Sequence, residues 1–283
     1  MHWRLCDVVD RLAIDPRTGL VFIDEYGHRR DYTFAEIAAY STRYAAVLRA
    51  FGIRQGDRVY VCVATSAKCV FTLLALQRLG AQAILDEDAA AGAAAVIANR
   101  KYRERVDAVR GRYSADARYL IIGEECEGWA RLDTLAHVAP AGPSSAPTDV
   151  DEDSLRTARD QAHEQLGAFS TDVAWCALQT EDDLWFERAI VQPWLCGCAT
   201  VISSGAFDPR ERLDLVRELD VTILLQRADD YHAELALPEP ASFKMPRLRR
   251  CMLLGEGCNE LLQSQWIERF GVPVTPAIPC AKA

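Results

Sequence analysis

Between residues 33 and 52 the apolar side chains Ile37, Tyr40, Tyr44, Val47, Leu48 and Phe51 recur at the spacing that stacks them on one face of an α-helix. Thr33 and Glu36 stand at capping-box distance, where each can satisfy a backbone N–H of the other, and Gly52 can supply a left-handed stop. An amphipathic helix is therefore expected there. Ahead of it, residues 20–24 and 29–32 flank Glu25-Tyr26-Gly27-His28, which predicts a short hairpin with the glycine in its turn. Behind it, the apolar run 59–64 predicts a buried strand, residues 68–79 a second helix stopped by Gly80, and residues 81–85 the next strand.

The alternation continues with a strand over 93–98, a helix over 102–109 and a strand over 119–122. Residues 139–153 then have linker composition, Pro-Ala-Gly-Pro-Ser-Ser-Ala-Pro followed by an acidic tail. Beyond the linker come strand 173–178, helix 184–196, strand 200–203, helix 209–219 and strand 221–225. Residues 250–254, 260–270 and 271–274 complete the series as strand, helix and strand. Asp208-Pro209 is a good helix start, because proline at the first helical position gives up an N–H that would have no partner anyway. Strands and helices taken in turn predict an α/β fold of two mostly parallel βα subdomains, residues 1–138 and 154–283.

Half of the 283 residues are hydrophobic, enough for a substantial core. The balance of 41 acidic against 32 basic residues gives a net charge of -9, and the scattered arginines form no basic stripe, so nucleic acid is not expected as a partner. No run reaches the roughly 18 to 20 apolar residues of a membrane span, and His2, Arg4 and Asp7 stand where a secretory signal would be apolar. A cytoplasmic chain is the expectation. Of ten cysteines, Cys62, Cys69, Cys176 and Cys251 lie in apolar runs where a thiol packs as a small hydrophobe. Cys196-Gly197-Cys198 is the one close pair, and without a second pair or a histidine cluster it is a poor metal site.

Tyr32-Thr33-Phe34-Ala35-Glu36, Gly56-Asp57-Arg58-Val59 and Leu79-Gly80-Ala81 resemble landmarks of the adenylate-forming enzymes. Asp172-Val173-Ala174-Trp175-Cys176, Gly197-Cys198-Ala199-Thr200, Phe207-Asp208-Pro209 and Val221-Thr222-Ile223 follow the order seen in acetyl-CoA and medium-chain acyl-CoA synthetases. Gly255-Glu256-Gly257-Cys258-Asn259 and Phe270-Gly271-Val272-Pro273-Val274 do the same. The resemblance implies the N-terminal domain of an AMP-binding acyl-CoA synthetase, whose family uses ATP, Mg²⁺ and CoA. It also implies that Gly255, Glu256 and Gly257 are what remains of the turn bordering the adenine. The alternative for that turn is a plain strand-to-helix connection with Asn259 as the cap.

The same resemblance exposes departures. The family wraps the phosphates in a glycine-rich loop ending in Pro-Lys, because glycines let backbone N–H groups approach the anion. The corresponding interval holds Asp149, Asp151, Glu152 and Asp153 and has no glycine before Gly167, with Arg156 and Arg159 as its only cations there. Glu181-Asp182-Asp183 replace a small, glycine-containing segment beside the acyl pocket, and Ala281-Lys282 stand where a Thr-Glu pair would hold Mg²⁺. Residues 86–92 read as a shortened connection. The family's ribose-binding Asp, hinge and C-terminal lysine would fall beyond Ala283, so a truncated domain is expected.

ATP and Mg²⁺ binding are thus expected to be lost, with no catalytic residue and no metal ligand carried over. His163 beside Glu164 and Asp160 reads as part of a solvated helix face, and His28 and His232 show no partner at useful spacing. The functions this supports are binding or regulation by a catalytically incomplete synthetase-like protein. Its partner would be a complete acyl-CoA synthetase or a small acyl or adenosine-like ligand. The alternatives are an active acid–thiol ligase with a noncanonical or partner-supplied site, and a decayed gene product.

Overall fold

The computed structural model describes residues 3–140, 150–238, 245–257 and 259–278. The chain is α/β and divides into two compact units. One comprises Met1–Thr18, Asp31–Leu155 and Gln179–Asp183; the other comprises Gly19–Arg30, Arg156–Leu178 and Leu184–Ala283. Residues 19–30, which precede the linker in sequence, are part of the second unit, and 179–183, which follow it, are part of the first. Most of the 139–153 linker falls on residues 141–149, outside the described residues.

The chain opens with α1 (Leu5–Leu12), then β1 (Thr18–Ile23) and β2 (Arg29–Thr33), and enters α2 (Phe34–Ala50). Thr33 Oγ1 accepts from the Glu36 N–H at 3.2 Å and Glu36 Oε2 accepts from the Thr33 N–H at 2.8 Å, the reciprocal cap expected from their spacing. β3 (Arg58–Cys62), α3 (Ala67–Leu79), β4 (Gln82–Ile84), β5 (Ala95–Asn99) and α4 (Arg100–Ala108) follow, then β6 (Arg118–Ile122), β7 (Ala130–Arg131) and α5 (Leu132–Val138). Gly80 ends α3 at φ +69°, a left-handed angle that an L side chain adopts only with strain. These strands form a five-stranded parallel sheet in the order β4-β3-β5-β6-β7. Val59, Val61, Val96 and Ile97 are buried, as strands covered on both faces require. Between α1 and α3, the buried Arg78 guanidinium meets both oxygens of Asp10 at 2.8 and 2.6 Å and donates to Ser41 Oγ at 2.9 Å, so its charge is paired where it leaves water.

From α6 (Glu152–Leu166) the chain continues through β8 (Val173–Cys176), α7 (Gln192–Leu195), β9 (Ala199–Ser203), α8 (Pro209–Glu218), β10 (Ile223–Gln226) and α9 (Ala228–Leu235). It finishes with β11 (Arg250–Leu253), α10 (Glu260–Phe270) and β12 (Val274–Pro276). A seven-stranded sheet runs β12-β11-β10-β8-β9-β1-β2, with Val21 opposite Val201, Trp175 opposite Val201 and Leu224 opposite Cys251 in parallel registers. Trp175, Tyr231 and Trp266 are the largest members of the core on one face of this sheet, and the Tyr231 and Trp266 rings meet edge-on at 4.7 Å.

The helix expected over 184–196 is not uniform. Glu187–Val191 form a π-helical turn that leads into α7, with the Gln192 N–H donating five residues back to the Glu187 carbonyl. Pro193 has no N–H to return to the Ala189 carbonyl, and Thr200 Oγ1 donates to that carbonyl instead. No helix of the described residues is long and apolar enough to cross a membrane.

Candidate functional site

In the second unit the parallel strands end together at one edge of the sheet, where α/β folds present their loops to ligands. The chain leaves β11 with the Leu254 N–H donating to the Gln226 carbonyl at 2.9 Å, then turns through Gly255 at φ +84° and Gly257 at φ +101°. A Cβ on Gly257 would lie 2.8 Å from the Ala228 Cβ, so this glycine is required both by its backbone angle and by its neighbour. Gly255, Glu256 and Gly257 are all exposed. Cys258 lies outside the described residues. Asn259 Oδ1 then accepts from the Leu262 N–H at 2.8 Å and starts α10, so the cap read from sequence is in place. The result is an exposed turn with no side chain on either glycine, an edge that a flat molecule can approach closely.

A polar cluster lies behind this turn. Gln226 Nε2 donates to Glu234 Oε2, and Arg212 Nη1 reaches Gln226 Oε1 and Asp230 Oδ2, both at 3.3 Å. Gln226 and Glu234 are fully buried. Burial pushes the Glu234 carboxyl up to about 8, against the pull of Arg212 and Gln226. Sequence reasoning missed this cluster, whose members come from α8, β10 and α9. The available signal was a glutamate at the interior position of a helix beside Tyr231.

Next to the cluster, a shallow cleft open to solvent is lined by Asp24, Trp175, Ser203, Asp208, Glu211 and Arg212, among others. Asp24, Asp208 and Arg212 already have structural work. Asp24 accepts from the Tyr26 and His28 N–H groups at 2.9 and 2.8 Å, Asp208 accepts from the Glu211 N–H at 2.8 Å, and Arg212 lies 4.3 Å from the Phe207 ring centre.

The interval read as the replaced phosphate loop is helical from Glu152 onward, while Asp149 lies outside the described residues. Two N–H groups at the start of α6 are taken by a carboxylate: Asp151 Oδ1 accepts from Asp153 at 3.2 Å and Ser154 at 3.1 Å. Glu152 and Asp153 sit in the same first turn.

Glu181 is tied within the first unit to Lys101 Nζ at 2.8 Å and to the Tyr102 hydroxyl. Burial raises its affinity for a proton, but those two donors outweigh burial and hold the carboxyl at about 2. Glu181 and Asp183 are exposed, and Glu181 is ion-paired. His163 Nδ1 sits 2.8 Å from the Ala168 carbonyl, and Trp175 is core at 1 % exposure. His28, expected to lack a partner, has Asp24 Oδ2 at 3.0 Å across the hairpin turn. Among the described residues no three His, Cys, Asp or Glu side chains gather to hold a metal ion. Ala281 and Lys282 lie outside the described residues.

Two groups of known proteins resemble this chain. Acetyl-coenzyme A synthetase of Bacillus subtilis (strain 168) is 23% identical over 299 residues, covering 89% of this chain and 51% of its own length. Mouse mitochondrial acyl-coenzyme A synthetase ACSM3 is 22% identical over 292 residues, covering 89% and 50%. The chain thus spans about half the length of these curated relatives. Among solved structures, the anthranilate CoA ligase AuaEII in complex with anthranoyl-AMP superposes with a TM-score of 0.82 at 20% identity, covering 96% of this chain and 59% of that one. The Brucella canis acyl-CoA synthetase gives 0.82 at 20% identity, covering 96% and 56%. At these identities the superpositions speak for the fold, while the family model of the AMP-binding enzyme matches residues 13–169, more than half of the sequence. The chain belongs to the AMP-binding enzyme family.

Proposed function

We propose that this chain is an acyl-CoA-synthetase-like protein that keeps the α/β scaffold but does not itself carry out ATP-dependent ligation, and acts instead in binding or regulation. The observation that carries this reading is the start of α6. Asp151 occupies the Asp153 and Ser154 N–H groups there, and Glu152 and Asp153 add negative charge to the interval in which the family resemblance places a glycine-lined phosphate seat. A triphosphate brought to the start of α6 would meet repulsion from these carboxylates. A cytoplasmic location and subdomains divided at the 139–153 linker belong to the same proposal.

The Gly255–Glu256–Gly257 turn is the proposed remnant of the adenine side, able to take an adenosine-like or acyl-adenylate ligand without its phosphates being gripped. A complete acyl-CoA synthetase is the proposed protein partner. Thermal shift with ATP, AMP, CoA and acyl-CoAs tests the reading, because a ligand that binds only the folded chain raises Tm by mass action. The expected result is no shift with ATP and magnesium beyond that given by AMP. ATP–pyrophosphate exchange well above a blank, abolished by Arg156→Ala or Arg159→Ala, would overturn it. That outcome belongs to the second reading, an acid–thiol ligase with a noncanonical or partner-supplied site, which family membership favours.

A further inference from the structure

Among the described residues three arginines are buried, Arg78, Arg188 and Arg212. Two of them face a carboxylate: Arg78 meets Asp10, and Arg212 reaches Asp230 at 3.3 Å. Arg188, in the π-helical turn before α7, has no such carboxylate. Its Nη1 donates to Gln192 Oε1 at 3.1 Å and its Nη2 to the Ile278 carbonyl, both neutral acceptors, while Nε is buried without a hydrogen-bond partner among the described residues. Glu187 is its neighbour in the chain, but adjacent residues on a helix do not face each other. Burial also moves the Glu187 carboxyl toward its protonated form, against the pull of Arg188, so it is a weak counter-ion. A guanidinium at 2% exposure is thus left without a paired charge, the costly state that buried ions in folded chains avoid.

The guanidinium is held in place without being neutralised. Gln192 Nε2 donates to Gln165 Oε1 of α6 at 2.6 Å, which fixes the Gln192 amide with its oxygen toward Arg188, and the Ile278 carbonyl, just past β12, grips a second nitrogen. Trp185 stands three residues before Arg188, and the Arg188 N–H donates to the Leu184 carbonyl at 2.9 Å, so the two side chains share one helical face. Trp185 is fully buried, and its Nε1 also has no hydrogen-bond partner among the described residues. Two buried N–H donors on one face, one of them charged, lack an acceptor, and buried donors in folded chains seldom stay so unless a bound group supplies it.

We propose that Arg188 and Trp185 supply the donors of a binding site, within the second unit, for a small organic carboxylate. Charge decides the class: one guanidinium is balanced by one negative charge, whereas a doubly charged phosphate would bury a surplus. A planar carboxylate also matches the guanidinium fork, with the Nε–H as its first donor. The chain neighbours Ala189, Ile190 and Trp194 are fully buried, so the pairing forms in apolar surroundings where it is stronger than in water. This site is independent of the reading of α6 and of the Gly255–Gly257 turn.

The test follows thermal unfolding of the full chain with acetate, butyrate and benzoate as probes, against chloride, sulfate and the neutral butyramide at matched ionic strength. The expected result is a saturable rise in Tm with at least one of the carboxylates and none with the controls. Arg188→Gln should lose that rise, its apparent affinity falling roughly tenfold or more. Its Tm in chloride should be no lower than that of the wild type, because the substitution removes an unpaired buried charge. Trp185→Phe, which keeps most of the ring without the N–H, should weaken the carboxylate effect and leave some of it. A wild-type Tm unmoved by all three carboxylates would overturn the proposal, as would an equal rise in Arg188→Gln or an equal rise with sulfate. Destabilisation in chloride of both Arg188→Gln and the apolar Arg188→Met would overturn it too, by making the arginine a structural residue.

Discussion

Gln226 Nε2 donates to one carboxylate oxygen of Glu234, and the other oxygen, Oε1, is buried with no partner among the described residues. An ionised carboxylate half-satisfied in the core is costly, so the pair is stable with Glu234 protonated.

A pH dependence follows from the sign of that shift. The folded-state value of about 8 lies above the ordinary 4.5, so the folded chain binds more protons than the unfolded one between those limits. The contribution of Glu234 to stability is fully present below about 4.5 and is lost as pH rises through about 8. Urea midpoints measured across that range should fall with pH, and Glu234→Gln should flatten this component. An unchanged slope in the variant would show that Glu234 is ionised in the fold.

The Thr33–Glu36 cap makes a second case. Thr33→Ala removes the hydroxyl that accepts from the Glu36 N–H and should cost about 1 kcal/mol in urea unfolding. Thr33→Ser should retain most of that stability, which distinguishes loss of the cap from loss of a methyl group.

Gly257→Ala places a Cβ on a residue at φ +101° and within 2.8 Å of the Ala228 Cβ. The strain should destabilise the chain by roughly 1–3 kcal/mol. If the turn holds an adenosine-like ligand, the same variant should also lose any AMP-induced rise in Tm, whereas Thr33→Ala should keep it.

Trp266 is fully buried against Tyr231 and Phe270, with ring centres at 4.7 and 4.2 Å. Trp266→Ala should cost about 3–5 kcal/mol by leaving a cavity between α10 and α9, measured as a drop in denaturation midpoint. Trp266→Phe, which refills part of the space, should cost less.

What could be read in advance follows from the range of the interactions. α2, the Gly80 stop of α3, the Asp208-Pro209 start of α8 and the Asn259 cap of α10 are written in residues a few positions apart, and each is found where its local chemistry requires. No helix bounds were expected for α1, α5, α6 or α9, three of them short and the fourth following directly on the acidic end of the linker. The π-turn before α7 reflects Pro193 answered by Thr200, a side chain from the next strand that spacing does not reveal. At the candidate site the Gly255–Gly257 turn was visible as a glycine pair after an apolar strand. The Arg212–Gln226–Glu234 cluster was not, because three separate elements must pack before those side chains meet.

The pairing of β1 with β9 has a consequence for how the molecule is made. Val21 leaves the ribosome long before Val201, so the early segment must wait for a distant neighbour before its backbone hydrogen bonds can close, a non-local step that slows folding. A fragment cut at the linker would strand the two halves of this ladder on different polypeptides. The downstream piece would then carry β9 as a bare rim of unpaired amides, and would be prone to self-association.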